Sequence, residues 1–235
     1  MYKGIYIALS GAVIKQRHLD IFAQNVANAA TPGYKKERIA FKDYLIPVDN
    51  KPPLVEDGRT MTETSRVVTD FSSGTLMRTG NPLDLAINGE GFFALEGGRY
   101  TRNGNFKIDG EGYLTTQDNI KLLGSGGPIS AQGRKIDVNA AGEVFIDDIS
   151  AGALRIVDFA EKEKLQKLSG GAFAADEQGI EIKSTVSQGY LEASNVESMR
   201  EIVQMLTSLR EFEAYQKMIQ TFDEASSKVA NELGK

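Results

Sequence analysis

Phe92-Phe93-Ala94-Leu95, Gly97-Gly98, Tyr100-Thr101-Arg102, Asn103-Gly104 and Asn105-Phe106-Lys107-Ile108 follow one another as short apolar runs separated by turn dipeptides. Runs of three or four residues punctuated by Gly-Gly and Asn-Gly predict successive β-hairpins. Asp109-Gly110 then turns the chain into Tyr113-Leu114-Thr115-Thr116, and Ile120-Lys121-Leu122-Leu123 follows. Further strands are predicted over 135–138, 143–146 and 154–158. Between Gly74 and Gly142 lie 14 of the 24 glycines, scattered among apolar runs rather than gathered in a low-complexity block. Such short, closely spaced strands predict an antiparallel β domain, because parallel pairs would need helical crossovers.

Outward from this centre the period changes. Ile5, Leu9, Ala12, Gln16, Leu19, Ala23, Val26 and Ala30 alternate by four and three, the spacing of a coiled-coil seam on one amphipathic helix over about 3–28. The helix is predicted to stop at Asn28-Ala29-Ala30-Thr31-Pro32-Gly33-Tyr34, since the residue before proline avoids the helical region and Pro-Gly supports a turn. Residues 35–45 mix charge and apolar side chains without a clear period, and 47–59 hold three prolines and no hydrophobic pattern, which reads as a linker. Toward the other end, Ile202, Met205, Leu209, Phe212, Tyr215, Met218, Phe222, Ala225 and Val229 sit three or four apart. The steps of three from Leu209 to Met218 make this stripe drift around its helix.

The predicted fold is therefore α+β, with long coiled-coil-like N- and C-terminal helices flanking a central antiparallel, Gly-rich β domain. The predicted divisions are 1–46 (helix and turn), 47–75 (linker), 76–187 (β domain) and 188–235 (C-terminal helix). Residues 1–46 carry seven Lys/Arg against three Asp/Glu, and 189–235 carry five against eight. Opposite net charges and two apolar stripes predict that the terminal helices pack, with each other or with copies of the chain.

Composition closes off several chemistries. In 235 residues there is no Cys and a single His, His18, which removes thiolate sites, a Cys nucleophile and any multi-histidine metal site, and argues against a Ser-His-Asp triad. A net charge of −5 argues against nucleic-acid binding through bulk charge. The apolar run 5–14 has only Lys3 ahead of it and no small-residue cleavage site behind it, so no cleaved signal peptide is expected. Gly89-Glu90-Gly91 and Gly124-Ser125-Gly126-Gly127 neither open a helix nor lead into Lys-Ser/Thr, and read as turns rather than phosphate cradles. Asp109 with Glu111, and Asp147 with Asp148, lack the full spacing of a calcium loop and suit hairpin turns. His18 is expected to be exposed on its helix. No catalytic residue, metal, cofactor or small-molecule ligand is predicted. A β-scaffold enzyme would need convergent carboxylates that the pattern does not supply. A monomeric binding module would have no use for the long terminal helices.

Five stretches of sequence carry a resemblance. Asn25-Val26-Ala27-Asn28-Ala29-Ala30-Thr31-Pro32-Gly33-Tyr34-Lys35 resembles the N-terminal motif of the bacterial flagellar rod and hook proteins. Thr79-Gly80-Asn81-Pro82-Leu83-Asp84-Leu85-Ala86-Ile87-Asn88-Gly89-Glu90-Gly91-Phe92-Phe93 is similar to that family's central motif, and Tyr100 to Phe106, continuing through Asp109 to Leu114, fits the block after it. Gln188-Gly189-Tyr190-Leu191-Glu192-Ala193-Ser194-Asn195-Val196 and Glu213 to Glu224 resemble the two parts of its C-terminal helical region. Size and the compact middle look most like the proximal rod branch of the family, with the distal rod branch next.

The resemblance implies a non-enzymatic structural subunit of the basal-body rod, part of a drive shaft transmitting motor torque. It implies partners in other copies and other axial proteins, and passage through the flagellar type III export apparatus without a cleaved signal. The residues expected to carry assembly are Ile5, Leu9, Ala12, Leu19 and Val26 on the first helix and Ile202, Leu209, Phe212, Met218 and Phe222 on the second. The family-motif positions are Asn25, Asn28, Thr31, Pro32, Gly33, Tyr34, Gly80, Asn81, Leu83, Asp84, Gly89, Gly91, Phe92 and Phe93.

Overall fold

A computed structural model describes residues 2–45, 60–133 and 135–233. Helix α1 spans Tyr2–Ala27 and helix α2 spans Ser198–Leu233, with an antiparallel β region between them. At 1.5 Å per residue α2 is about 54 Å long. The chain divides into two compact units: residues 1–27, 37–69 and 197–235 form one, and 28–36 with 70–196 form the other.

The helical unit contains a hairpin that the sequence reading missed. Strand β1 (Glu37–Leu45) pairs antiparallel with strand β2 (Thr60–Thr69), from Glu37 opposite Thr69 to Leu45 opposite Thr60. The register steps by one residue at Ala40/Phe41. Such a step shifts side chains to the other face and erases the period of two in the sequence. The span read as linker thus holds a Thr- and Val-rich strand, while 46–59 lie outside the described residues. The other boundary moves as well. Gln188 and residues 190–192, expected in the C-terminal helical segment, belong to the strands Thr185–Gln188 and Tyr190–Glu192 of the β unit.

In the β unit, strand β3 (Leu76–Arg78) pairs with Tyr190–Glu192, and strand β4 (Leu85–Asn88) pairs with Thr185–Gln188. Strand β5 (Phe92–Leu95) and strand β6 (Arg99–Thr101) form the predicted Gly97-Gly98 hairpin at the middle of a six-stranded sheet. All four β5 side chains are buried. Phe93 and Leu95 enter one apolar cluster with Leu85, Phe106, Leu122 and Val144, while Phe92 and Ala94 enter a second with Tyr100, Val157 and Phe173. A strand covered on both faces loses polar alternation and becomes a continuous apolar run, which is why Phe92-Phe93-Ala94-Leu95 is uninterrupted.

The next predicted hairpin does not form. Beyond β5, β6 pairs with Ala172–Ala174 rather than with Asn105–Ile108, and Lys107–Ile108 pairs with Leu114–Thr115. Thr101 Oγ1 accepts the Asn103 N–H at 3.0 Å, and Leu85 N–H donates to the Gly104 carbonyl at 3.0 Å. The chain is thereby drawn across to β4. A Cβ at Gly104 would lie 1.5 Å from the Leu85 carbonyl oxygen, so only glycine permits this crossing.

Candidate functional site

Within the helical unit, α1 and α2 pack on each other. The contacting face of α1 runs through Gly4, Ala8, Gly11, Lys15, His18, Phe22 and Asn25, all buried or half-buried. That of α2 runs through Glu201, Met205, Ser208, Phe212, Tyr215, Ile219, Phe222 and Ser226. Both step by four and three. A Cβ on Gly4 would stand 2.9 Å from the Phe222 ring, and one on Gly11 would stand 2.6 Å from Tyr215. Each glycine is therefore the seat of an aromatic ring. Lys15 Nζ meets Glu211 Oε2 at 2.6 Å, and Asn25 Nδ2 donates to Glu201 Oε2 at 3.1 Å. Asn25 is fully buried: it also donates to the Glu37 carbonyl and accepts the Glu37 N–H, both at 2.9 Å. One motif asparagine thus ties α1 to both α2 and the start of β1.

The α1 face is the predicted seam displaced by one residue, about 100° around the helix. Ile5, Leu19 and Val26 are half-buried beside it, Ala12 is buried, and Leu9 is 49% exposed. On α2 the structure brings Ile202, Phe212 and Phe222 to the packed side, but uses Ser208 in place of Leu209 and Ile219 in place of Met218. Leu209 and Met218 are 41% and 47% exposed. The drift expected from the run of threes disappears with those exchanges. After the helices have packed, Tyr6, Ile7 (72% exposed), Leu9 and Val13 remain outside on α1. On α2, Met199 (77%), Val203, Leu206, Leu209 and Met218 do the same. His18, expected to be exposed, is half-buried, with its ring edge-on to Phe22 at 5.8 Å.

Within the β unit, the other N-terminal motif residues form a clasp. The backbone turns at Asn28 (Thr31 N–H to Asn28 carbonyl, 3.1 Å), passes Pro32, and takes a left-handed conformation at Gly33, φ 68°. A Cβ there would strike the Arg102 carbonyl carbon at 2.4 Å. Gly33 N–H donates to the Glu192 carbonyl at 2.7 Å. The buried Lys35 ammonium bonds Glu192 Oε1 at 2.7 Å and the Ser72 carbonyl at 2.8 Å; Gly74 N–H donates to the same Oε1. Arg102 Nε stands 3.5 Å from Glu192 Oε2, and Arg102 Nη2 donates to the Gly89 carbonyl. Tyr34 is buried beneath Lys167, whose ammonium lies 3.7 Å from the ring centre. Burial is the largest influence on the Lys35 ammonium and pushes its pKa below the ordinary value, with Glu192 opposing. A buried charge pair of this kind is strongly unfavourable to break, because one partner is left unpaired.

The central motif is structural scaffolding of the same unit. Buried Asp84 accepts from Asn81 Nδ2 at 3.1 Å and Asn105 Nδ2 at 2.9 Å through the same Oδ1. Leu83 packs against the first apolar cluster. Gly80, Gly89 and Gly91 have positive φ, where a side chain would be strained. Thr79 and Gly80 N–H both donate to the Gly189 carbonyl. Phe92 and Phe93 are the β5 core residues already described. Asp109 Oδ1 accepts the N–H groups of Glu111 and Tyr113 and closes a turn, while Asp147 Oδ1 accepts the Lys135 N–H across the end of the strand pair in which Ile136 faces Ile146. The Ser125-Gly126 dipeptide joins the paired strands Leu123–Gly124 and Gly127–Pro128.

Sequence reasoning missed the inward roles of Lys35, Glu192, Arg102 and Asn195, though all four lie in or beside quoted motif blocks. Asn195 Oδ1 accepts the Lys36 N–H and its Nδ2 donates to the Asp70 carbonyl, both at 2.8 Å. For Lys35, Arg102 and Glu192 the usable signal was a charged residue embedded in a motif block. Gly4, Ala8 and Gly11 carry no strong apolar signal of their own and become contact positions only where Phe222 and Tyr215 fill the space they leave.

A buried N-terminal clasp, a Gly-rich β unit and paired terminal helices define a rod-type axial subunit, and comparison with known proteins agrees block by block. Residues 5–35 match the flagella basal body rod protein family, 86–146 the flagellar hook protein FlgE/F/G D1 domain, and 187–233 the flagellar basal body rod FlgEFG protein C-terminal family. The flagellar basal-body rod protein FlgG of Bacillus subtilis is 31% identical over 98% of this chain and 99% of its own length. FlgF of Caulobacter vibrioides is 32% identical over 100% and 99%, and FlgF of Salmonella typhimurium 31% over 99% and 98%. The chain belongs to the flagellar basal-body rod protein family, as a structural protein of the rod.

Proposed function

We propose that this chain is a subunit of the proximal rod, polymerising through α1 and α2 into the shaft that carries motor torque toward hook and filament. The carrying observation is the apolar side chains left outside the helix pair, chiefly Ile7, Leu9, Met199, Val203 and Leu209. Burying each in a neighbour is worth roughly 1.5–3 kcal/mol, repeated along a polymer. In this reading the helices have coiled-coil character in the assembled shaft. The β unit, whose cores are filled from within, decorates it. Partners are other copies and other axial proteins, and the subunit reaches the periplasmic rod through the type III export apparatus. Identity to relatives named FlgG and FlgF is nearly equal. The choice of the proximal over the distal position therefore rests on residues 46–67, which contain Pro47, Pro52 and Pro53 and a single glycine, Gly58. Distal rod proteins of the family carry a longer glycine- and valine-containing segment there. Deletion in the source bacterium, with electron microscopy of isolated basal bodies, tests the reading. A rod truncated near its base supports the proximal position, a rod truncated further out moves the subunit to the distal one, and intact motility refutes both.

A further inference from the structure

We propose that residues 185–196 are a strap that closes the β unit last, so that the unit is completed only when the far end of its own chain docks. Backbone pairing within this unit falls into two groups. The six-stranded sheet, the three-stranded sheet and the two-stranded pairs within 107–115 and 123–128 are all drawn from residues 92–181. Thr185–Gln188 and Tyr190–Glu192 instead form two separate two-stranded ladders, with β4 and β3. Such a ladder is marginal by itself, and the strap is held by additional bonds. Gly189 N–H donates to the Asp84 carbonyl and Ala193 N–H to the Thr75 carbonyl, both at 2.8 Å. The Gln188 side-chain amide acts like a strand residue: Oε1 accepts the Val138 N–H at 3.1 Å and Nε2 donates to the Ile136 carbonyl at 2.8 Å. Val186 and Leu191 are buried.

Side-chain bonds from the strap back to residues 35–88 span from 99 positions (Asn88 to Ser187) to 159 (Lys36 to Asn195). The β5–β6 hairpin, by contrast, closes from Leu95 to Arg99. Closing a long stretch of chain costs entropy before its contacts repay it, so distant pairings form after local ones. A chain that emerges from its N-terminus leaves β3 and β4 without their ladder partners until the strap has appeared. It also leaves Lys35 and Arg102 without the Glu192 carboxylate that holds their charges when buried. The strap thus makes closure of the β unit a test that the chain is complete. This rests on the β unit of a single chain and not on the rod assignment, so a failure of polymerisation would leave it standing.

The experiment refolds the full-length chain from urea after an unfolding pulse of about one second, too short for proline isomerisation. Amide-exchange pulses at increasing delays then read which groups are protected. The amides of β5 and β6 are expected to gain protection in an earlier phase than those of Gly33, Thr79, Gly189 and Ala193. Gly74→Ala would place a Cβ 1.9 Å from the Ala193 carbonyl oxygen, and Leu191→Ala removes buried packing from the strap. Both variants should keep the early phase at its natural rate and lose protection faster at the strap amides. Protection of both sets in one phase overturns the proposal on the natural chain alone, whether or not either variant folds. A slower β5–β6 phase in Leu191→Ala also overturns it, because the strap would then belong to the folding nucleus.

Discussion

The two units solve the burial problem in opposite ways. In the β unit every side chain of β5 is covered, two apolar clusters share that strand, and even Lys35, Arg102 and Glu192 are buried in a mutually bonded group. The helical unit packs α1 on α2 through glycine, alanine and serine against a few rings, leaving Tyr6, Ile7, Met199 and Val203 in solvent. A seam of small residues brings two helices close and excludes the larger aliphatics beside it. The lesson is that a well-made interface between the two helices and an unsatisfied apolar exterior are consequences of the same choice of face.

The largest expected effect belongs to the β core. Phe93→Ala removes a fully buried ring that packs on Phe106 at 5.3 Å, and should cost about 3–5 kcal/mol in urea unfolding of the β unit. A cost below about 1 kcal/mol would mean that the core relaxes, and would erase the contrast with the helices. Next is the clasp. Glu192→Gln keeps the shape but leaves the Lys35 and Arg102 charges buried without their carboxylate, for an expected loss of about 3 kcal/mol. Partial recovery is expected in the double variant Lys35→Met/Glu192→Leu, because Arg102 keeps its buried charge; stability above that of Glu192→Gln in the same unfolding curves would show that part of the cost lies in the unpaired Lys35 charge.

In the helical unit, Gly11→Val drives a side chain into the Tyr215 ring and should weaken the helix pair by about 1–3 kcal/mol, read as faster amide exchange over both helices. Leu209→Asp should sharpen the comparison further. It alters an exposed position, so the monomer's thermal melting should move by no more than about 0.5 kcal/mol equivalent, while rod assembly in the cell is lost. Phe222→Asp, on the packed face, should damage the monomer's helix pair too, and Lys228→Ala, on an exposed position, should leave both intact. Unchanged swimming in Leu209→Asp cells would remove that residue from any assembly surface.

The smallest effect is a pH slope. The folded Lys35 ammonium gives up its proton at lower pH than the unfolded one, whose value is near 10.5. Between those values the unfolded chain binds more protons, so the Lys35 contribution to stability rises with pH. Lys121, Lys135, Lys162 and Lys164 are raised and act in the opposite direction. They are common to the natural chain and Lys35→Met. Denaturant midpoints of the two from neutrality to 10.5 isolate the Lys35 slope, and parallel curves would contradict it.

Local sequence by itself determined both terminal helices, the stop at Thr31-Pro32-Gly33, the β5–β6 hairpin and the antiparallel character of the middle. In each case the determinant is a neighbour-scale property: apolar spacing, proline geometry, or glycine at a tight turn. The family's motif blocks likewise marked Asn25, Gly33, Asp84 and Phe93 before their contacts were visible. Tertiary structure alone decided which face of α1 meets α2, since a glycine becomes a good contact only when Tyr215 or Phe222 is there to fill its space. It decided that Thr60–Thr69 pairs with Glu37–Leu45 across an irregular register, and that β6 takes Ala172–Ala174 as its neighbour. It also joined Lys35 to Glu192 across 157 positions of chain. A buried ion pair at that separation has no local period to announce it, because its favourable energy exists only after both desolvated charges have been brought together by everything folded around them.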